Sequence, residues 1–160
     1  MFRFIGLATC ICLLGCAPEN DPRTADEAEL IRRSLPGISD ECVETILKNG
    51  MEQLPQDVRD CFPMEEKKRW QGLWLDEFEG SRFCAAPAEE CRFETSGERV
   101  WLVFADEIRA VSRRDKHSTD ALYKIEFVGR QTLTTGAFGH LGGSDREIVV
   151  EKLIRLERVP

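Results

Sequence analysis

The stretch Trp70-Gln71-Gly72-Leu73-Trp74-Leu75 marks the point at which the apolar pattern of this chain changes to a period of two. Such alternation is typical of a β-strand. It returns at residues 78–83, 99–104, 122–128 (and on towards 133) and 147–159, and a short helix is indicated at 106–114. Three strands, a short helix and two more strands is the order of an OB-type barrel. Residues 65–160 are therefore predicted to form a five-stranded, mostly antiparallel OB-like barrel.

A helical segment is predicted before the barrel, at residues 24–64. Thr24 and Glu27 have the spacing of a capping box, which predicts the start of a first helix. Ser39 can cap a second helix, and Asn49-Gly50 is a typical helix end. Two short helices of this kind are marginally stable in water without further support.

The cysteines indicate how that support is provided. Beyond residue 16 the chain has four cysteines: Cys42, Cys61, Cys84 and Cys91. An even number predicts two disulfides, for which three pairings are possible. We favour 42–61 with 84–91, because each pair then lies within its own compact segment. No Cys-x-x-Cys spacing occurs among them, so a redox or zinc role lacks its motif. The fold class is therefore α+β, a small disulfide-linked helical segment followed by an OB-like barrel.

The amino terminus has the pattern of an export signal. Arg3 precedes an apolar run over 4–14, which is too short to span a bilayer core of about 20 apolar residues. Leu13-Leu14-Gly15-Cys16 resembles the lipobox of bacterial lipoproteins. This resemblance implies cleavage before Cys16 and attachment of a lipid to its thiol. Several acyl chains together give stable membrane anchoring.

The same resemblance predicts where the protein is located. Residues 1–15 would be the signal peptide and 16–23 a polar, lipidated tether. Ala17 stands where an aspartate would resemble the signal for retention in the inner membrane. We therefore expect a lipid-anchored protein of the bacterial cell envelope, at the outer membrane and facing the periplasm rather than at the inner membrane.

Residues 69–159 are similar to a pattern found in uncharacterised bacterial small-barrel proteins. The motifs that carry this resemblance are Trp70-x-Gly72-x-Trp74, Phe78-Glu79-x-Ser81-x-Phe83, the run from Gly136 to Gly142, and Arg146-Glu147-Ile148-Val149-Val150. The resemblance implies the barrel fold and no particular activity.

The charge of the chain limits its partners. It has 22 basic and 29 acidic residues, a net charge of −7. Loss of residues 1–15, where Arg3 is the only charged side chain, makes the net charge −8. So acidic a balance argues against binding nucleic acid through phosphate contacts. His117 with Asp115 and Asp120 are interpreted as a solvated polar loop, and no metal or other cofactor is expected.

His140 is the most suggestive polar residue, because it lies in the glycine-dense loop 136–143. A histidine can act as an acid or base near neutral pH. With Glu79 and Ser81 it would form a hydrolytic trio, although the Gly-x-Ser-x-Gly motif is missing. The favoured interpretation is that His140 fixes its own loop through a hydrogen bond.

The tryptophans and one arginine are the other candidate binding residues. Trp70, Trp74 and Trp101 are expected in the core, but any that face outward with Arg82 or Arg92 would form a binding surface. The leading hypothesis is a non-catalytic envelope lipoprotein that binds a protein, peptide or glycan and has no catalytic residue. The alternatives are a hydrolase that uses His140 with Glu79 and a purely structural lipoprotein.

Overall fold

A computed structural model describes residues 22–108 and 121–160 and begins with the predicted helical segment. Helix α1 spans Pro22–Ser34 and helix α2 spans Asp40–Asn49, and 3-10 turns follow at Met51–Gln53 and Val58–Asp60. Residue 24 lies inside α1, so the predicted capping box is wrong. The Ser39 cap of α2 is confirmed, because its side chain accepts a hydrogen bond from the Cys42 amide.

Five strands close into a barrel. They are β1 Lys68–Glu77, β2 Gly80–Ala85, β3 Val100–Phe104, β4 Ala121–Gln131 and β5 Arg146–Arg158. Their order around the barrel is β1-β2-β3-β5-β4, with β4 pairing back to β1. Among these five described strands, β3 and β5 pair in parallel and the other neighbours pair antiparallel. The predicted α+β class with a mostly antiparallel OB-like barrel is confirmed.

Two boundaries differ from the predictions. The second strand begins at Gly80, since Phe78 and Glu79 form the turn between β1 and β2. A positive φ of 55° at Glu79 produces this turn. After β3 the structure shows a 3-10 turn at Asp106–Ile108, and the remainder of the helix predicted at 106–114 lies outside the described residues.

The barrel core follows the alternation read from the sequence. The inward positions of all five strands supply one apolar cluster, which consists of Trp74, Phe83, Val100, Leu102, Phe104, Ile125, Phe127, Ile148 and Val150. Trp74 and Phe127 are fully buried at its centre. Close packing of large aromatic side chains fills a small barrel of this kind.

Both favoured disulfides are present. Cys42 and Cys61 are joined with Cα atoms 5.6 Å apart, and Cys84 and Cys91 with Cα atoms 5.7 Å apart. The first lies in a separate apolar cluster of the helical segment with Ile38 and Val43. The second closes the start of the connection between β2 and β3.

The helical segment packs on the loop that joins β4 to β5. The rings of Phe62 and Phe138 meet edge to face with centroids 5.0 Å apart. The Leu133 amide donates to the Pro63 carbonyl at 2.8 Å, and the Thr134 hydroxyl donates to a carbonyl of the segment at the same distance. The helical segment therefore packs against the β4–β5 loop and supports it. Across residues 22–108 and 121–160, no helix has the length and apolar character needed to cross a membrane.

Candidate functional site

Two loops of the barrel meet at the side chains of Glu79 and His140. Nε2 of His140 lies 3.5 Å from Oε2 of Glu79, and the two side chains are 42% and 56% exposed. Glu79 belongs to the β1–β2 turn, and His140 begins a 3-10 turn in the β4–β5 loop. The structure thus brings together two residues that are distant in sequence.

Unusual backbone conformations hold this meeting point in place. Leu141, which follows His140, has a φ of 51°, and Gly139, which precedes it, has a φ of 69°. Gly139 lies directly on the indole of Trp101, since a Cβ there would be 2.4 Å from Cδ2 of that ring. One face of Trp101 is therefore covered by the loop, and the tryptophan acts as its platform.

Large apolar side chains flank the pair on both loops. Phe78, next to Glu79, is 80% exposed, and Leu141, next to His140, is 93% exposed. Phe93 adds a third, 46% exposed, which packs against Gly80. Apolar side chains of this size and exposure, gathered around a polar centre, are typical of a surface that binds a partner.

Sequence reasoning did not identify Phe78 and Leu141. Phe78 fitted the alternation of a strand, so its exposure at the turn was not expected. Leu141 carried a usable signal, because a large apolar residue inside a glycine-dense loop has little chance of reaching a core. These two residues and the Glu79–His140 pair are called the loop surface below.

A buried carboxyl lies beneath the loop surface. Glu147 on β5 pairs with Trp101 on β3, and it is only 9% exposed because the β4–β5 loop covers it. Burial raises the pKa of Glu147 to about 7, and the charge of Asp57 acts in the same direction. The amide of Gly139 donates a hydrogen bond to this carboxyl and partly opposes the rise.

Three predicted site residues are internal. Trp74 is fully buried, in agreement with its expected core position, and Arg82 is 4% exposed, so the alternative in which they form an outer binding surface is wrong. Ser81 is also buried; its Oγ accepts a hydrogen bond from Nε1 of Trp74 and donates one to the Leu102 carbonyl, both at 2.9 Å. Ser81 therefore ties the barrel together and is not available as a nucleophile.

Trp70 lies away from the loop surface, near the start of β1. Its ring packs on Phe83 and Phe127 and is partly exposed, with Nζ of Lys68 4.2 Å from the ring centroid. No group of three potential metal ligands occurs within residues 22–108 and 121–160. The residues considered for a weak metal site, His117, Asp115 and Asp120, lie outside these ranges.

The position of the loop surface agrees with the general use of this fold. In OB barrels the loops after strands 1 and 4 border the face that binds oligonucleotides and oligosaccharides. Glu79 and His140 lie in those two loops. The fold alone does not specify the ligand.

Comparison with known proteins adds no family to this description. The search against protein-family models gave no match, and neither did those of curated proteins and of solved structures. The five-stranded closed barrel is compatible with a small-barrel domain, which is the coarser part of the resemblance noted for residues 69–159.

Proposed function

We propose that this chain is a lipid-anchored protein of the bacterial envelope whose barrel binds a protein or peptide partner, without catalysis, at the loop surface. The observation that carries the proposal is the 80% and 93% exposure of Phe78 and Leu141, on two loops that the Glu79–His140 contact holds together. A rigid support under exposed apolar residues lowers the entropy lost on binding.

The charges around the loop surface favour a particular partner. The aromatic tip at Phe78 lies between Glu77 and Glu79. Carboxylates at this position oppose insertion into a membrane with anionic lipids. They attract a segment that carries a basic side chain beside an apolar one, because complementary charges assist association. A sugar could also pack on the ring of Phe78, but the aliphatic side chain of Leu141 gives a sugar less favourable contact than it gives an apolar side chain. A peptide segment is therefore the better fit.

The binding proposal is tested by photo-cross-linking in cells. A photoreactive amino acid is placed at position 78 or 141 of the full chain, and at position 30 as the control, since Leu30 is 64% exposed on α1. We expect one protein to be captured from positions 78 and 141 and not from 30. Its capture from position 78 should then be lost in L141S and retained in L30S.

Other outcomes would decide against the proposal. Equal capture from all three positions would show a non-specific surface. Retention of a purified domain on isolated envelope polysaccharide, abolished by F78S, would replace the peptide with a glycan. No adduct from either loop position would leave the purely structural role as the better account.

The anchoring part of the proposal rests on the lipobox-like sequence. In C16S, incorporation of a labelled fatty acid should be lost and the protein should leave the membrane fraction. C12S is the matched control, because Cys12 lies in the expected signal peptide and should have no effect. Unchanged labelling in C16S would contradict lipidation at this residue.

A hydrolase is the second candidate, because the 3.5 Å contact of His140 with Glu79 is the arrangement of a base with its orienting carboxylate. Ser81, the serine predicted as the nucleophile, is buried, so His140 would have to activate a water molecule instead. Turnover of ester, peptide or glycan substrates by the purified protein, lost in H140A, would support this alternative.

A further inference from the structure

A second concave region lies at a mouth of the barrel, and none of its lining residues belongs to the loop surface. It is a cavity of about 280 Å³, and its floor is formed by core residues Trp70, Phe83, Val100 and Ile148. Glu79 lies two residues beyond the end of β1, whereas Trp70 is near the start of β1, so the two regions lie towards opposite ends of that strand. Barrel mouths with apolar floors are common sites for small molecules.

The wall of this cavity is fixed by covalent and polar bonds. Ala88, Thr95 and Ser96 contribute to it from the connection between β2 and β3. The Cys84–Cys91 disulfide closes the first part of this connection. Arg82 holds the second part, because its Nη1 donates to the Phe93 carbonyl at 2.6 Å and its Nη2 donates to the Thr95 carbonyl. The cavity is therefore preformed, which favours ligand binding.

Arg82 also gives this wall a positive charge that the protein does not neutralise at close range. No carboxylate among the described residues forms an ion pair with it, and its buried Nε has no hydrogen-bond partner there. Burial lowers the pKa of Arg82, and the nearby Arg99 lowers it further, while Asp145 and Glu94 act against this. Buried charges in proteins are usually paired, so an anion would be favoured at this wall.

Glu98, an acidic residue that lines the cavity, does not neutralise the charge of Arg82. Glu98 receives hydrogen bonds from Nε of Arg146 at 2.7 Å and from the amide of Gln131 at 3.4 Å. Its charge is thus directed to Arg146. The floor is apolar and aromatic, so a suitable occupant combines an apolar body with a single negative charge.

We propose that the cavity at this mouth binds a small carboxylate with an apolar body, such as a medium-chain fatty acid. The chain packs on Trp70 and Phe83, and the carboxylate lies on the side of Arg82. None of the cavity's lining residues belongs to the loop surface, so this site is independent of the function proposed above.

The test is a titration of the purified protein with octanoate, in which binding is measured by tryptophan fluorescence and by equilibrium dialysis. Trp70 is the tryptophan that lines the cavity, and W101F is used as the host so that emission from Trp101 does not contribute. Octan-1-ol and octylamine are the matched neutral and cationic probes. We expect octanoate to bind about tenfold more tightly than octan-1-ol, and octylamine to bind least, because a hydrogen bond to a charged group adds affinity of this order.

Variants locate the binding. S96F should fill the rim and weaken octanoate binding at least about tenfold, whereas S96A should change it little. R82Q should remove the preference for octanoate over octan-1-ol. If R82Q does not fold, the comparison of S96F with S96A still tests whether octanoate binds in this cavity. Equal affinities for octanoate and octan-1-ol, or octanoate binding that S96F leaves unchanged, would overturn the proposal.

Discussion

Among single residues, Glu147 couples the stability of the barrel to pH. Its carboxyl lies under the β4–β5 loop, and burial raises its pKa from 4.5 to about 7. A group whose pKa is raised on folding contributes most below its unfolded pKa, and the contribution is lost as pH rises through the folded pKa. The folded state should therefore become less stable between pH 4.5 and about pH 7 on account of Glu147.

We predict that E147Q removes this loss. The shift corresponds to about 3 kcal/mol, so E147Q should equal the wild type near pH 4 and exceed it by up to about 3 kcal/mol at pH 8. The measurement is urea unfolding across this pH range. E89Q, at an exposed position of the 86–99 connection, is the control. A pH-independent difference for E147Q would contradict the raised pKa.

At the level of elements, the β4–β5 loop is shaped by the contact between Gly139 and Trp101. G139A would bring a methyl group to 2.4 Å from the indole and would strain a backbone with a φ of 69°. Gly97 separates the two effects, because its φ is 103° but nothing lies within 4 Å of its Cβ position.

We predict that G97A loses about 1 kcal/mol from backbone strain alone, and that G139A loses about 2–4 kcal/mol from strain and displacement of the loop. Thermal unfolding gives both values. G139A should also change the fluorescence of Trp101 in the folded state, and G97A should not. Equal losses for the two variants would show that the loop does not rest on the tryptophan.

The elements of the barrel could be predicted from the sequence, because period-two alternation is a local property. The strands at 99–104 and 147–159 were found within one residue at each end. Ser39 and Gly50 identified the ends of α2 for the same reason. Alternation also shows which residues share a face, but it cannot show which face another segment covers.

The candidate site depends on such coverage and could be predicted only in part. Arg82 points away from the core, yet the β2–β3 connection buries it. Glu147 alternates with the inward Ile148 and is buried by the β4–β5 loop. The Glu79–His140 contact was considered because of the residue types, whereas their proximity results from long-range folding.

At the scale of the whole molecule, the helical segment and the barrel have separate apolar clusters, and side-chain and backbone contacts join the two parts. The helical segment has its own cluster around Cys42 and Cys61, and the barrel has another around Trp74. The contacts that connect them include the Phe62–Phe138 ring contact, the Leu133–Pro63 hydrogen bond, the hydrogen bond from the Thr134 hydroxyl and the Arg59–Glu151 ion pair. We therefore expect the Cys42–Cys61 disulfide to determine whether the segment stays folded for as long as the barrel does.

Two optical signals can follow these parts separately. All 3 tryptophans belong to the barrel, so fluorescence reports on it, and α1 and α2 dominate the helical ellipticity at about 222 nm from the described residues. With both disulfides formed, we expect the two signals to change at the same urea concentration. The joining contacts then make unfolding a single transition.

We predict that C42S/C61S separates the two transitions. The disulfide closes a loop with a sequence separation of 19, which contributes about 3 kcal/mol, and its loss falls on the helices. Ellipticity should therefore change at lower urea than fluorescence. C84S/C91S is the control: it opens a separation of 7, costs about 2 kcal/mol within the barrel and should leave the two signals coincident. Coincident signals in C42S/C61S would mean that the barrel alone keeps the helical segment folded, and the β4–β5 loop would then owe its support to Phe62 and not to the disulfide.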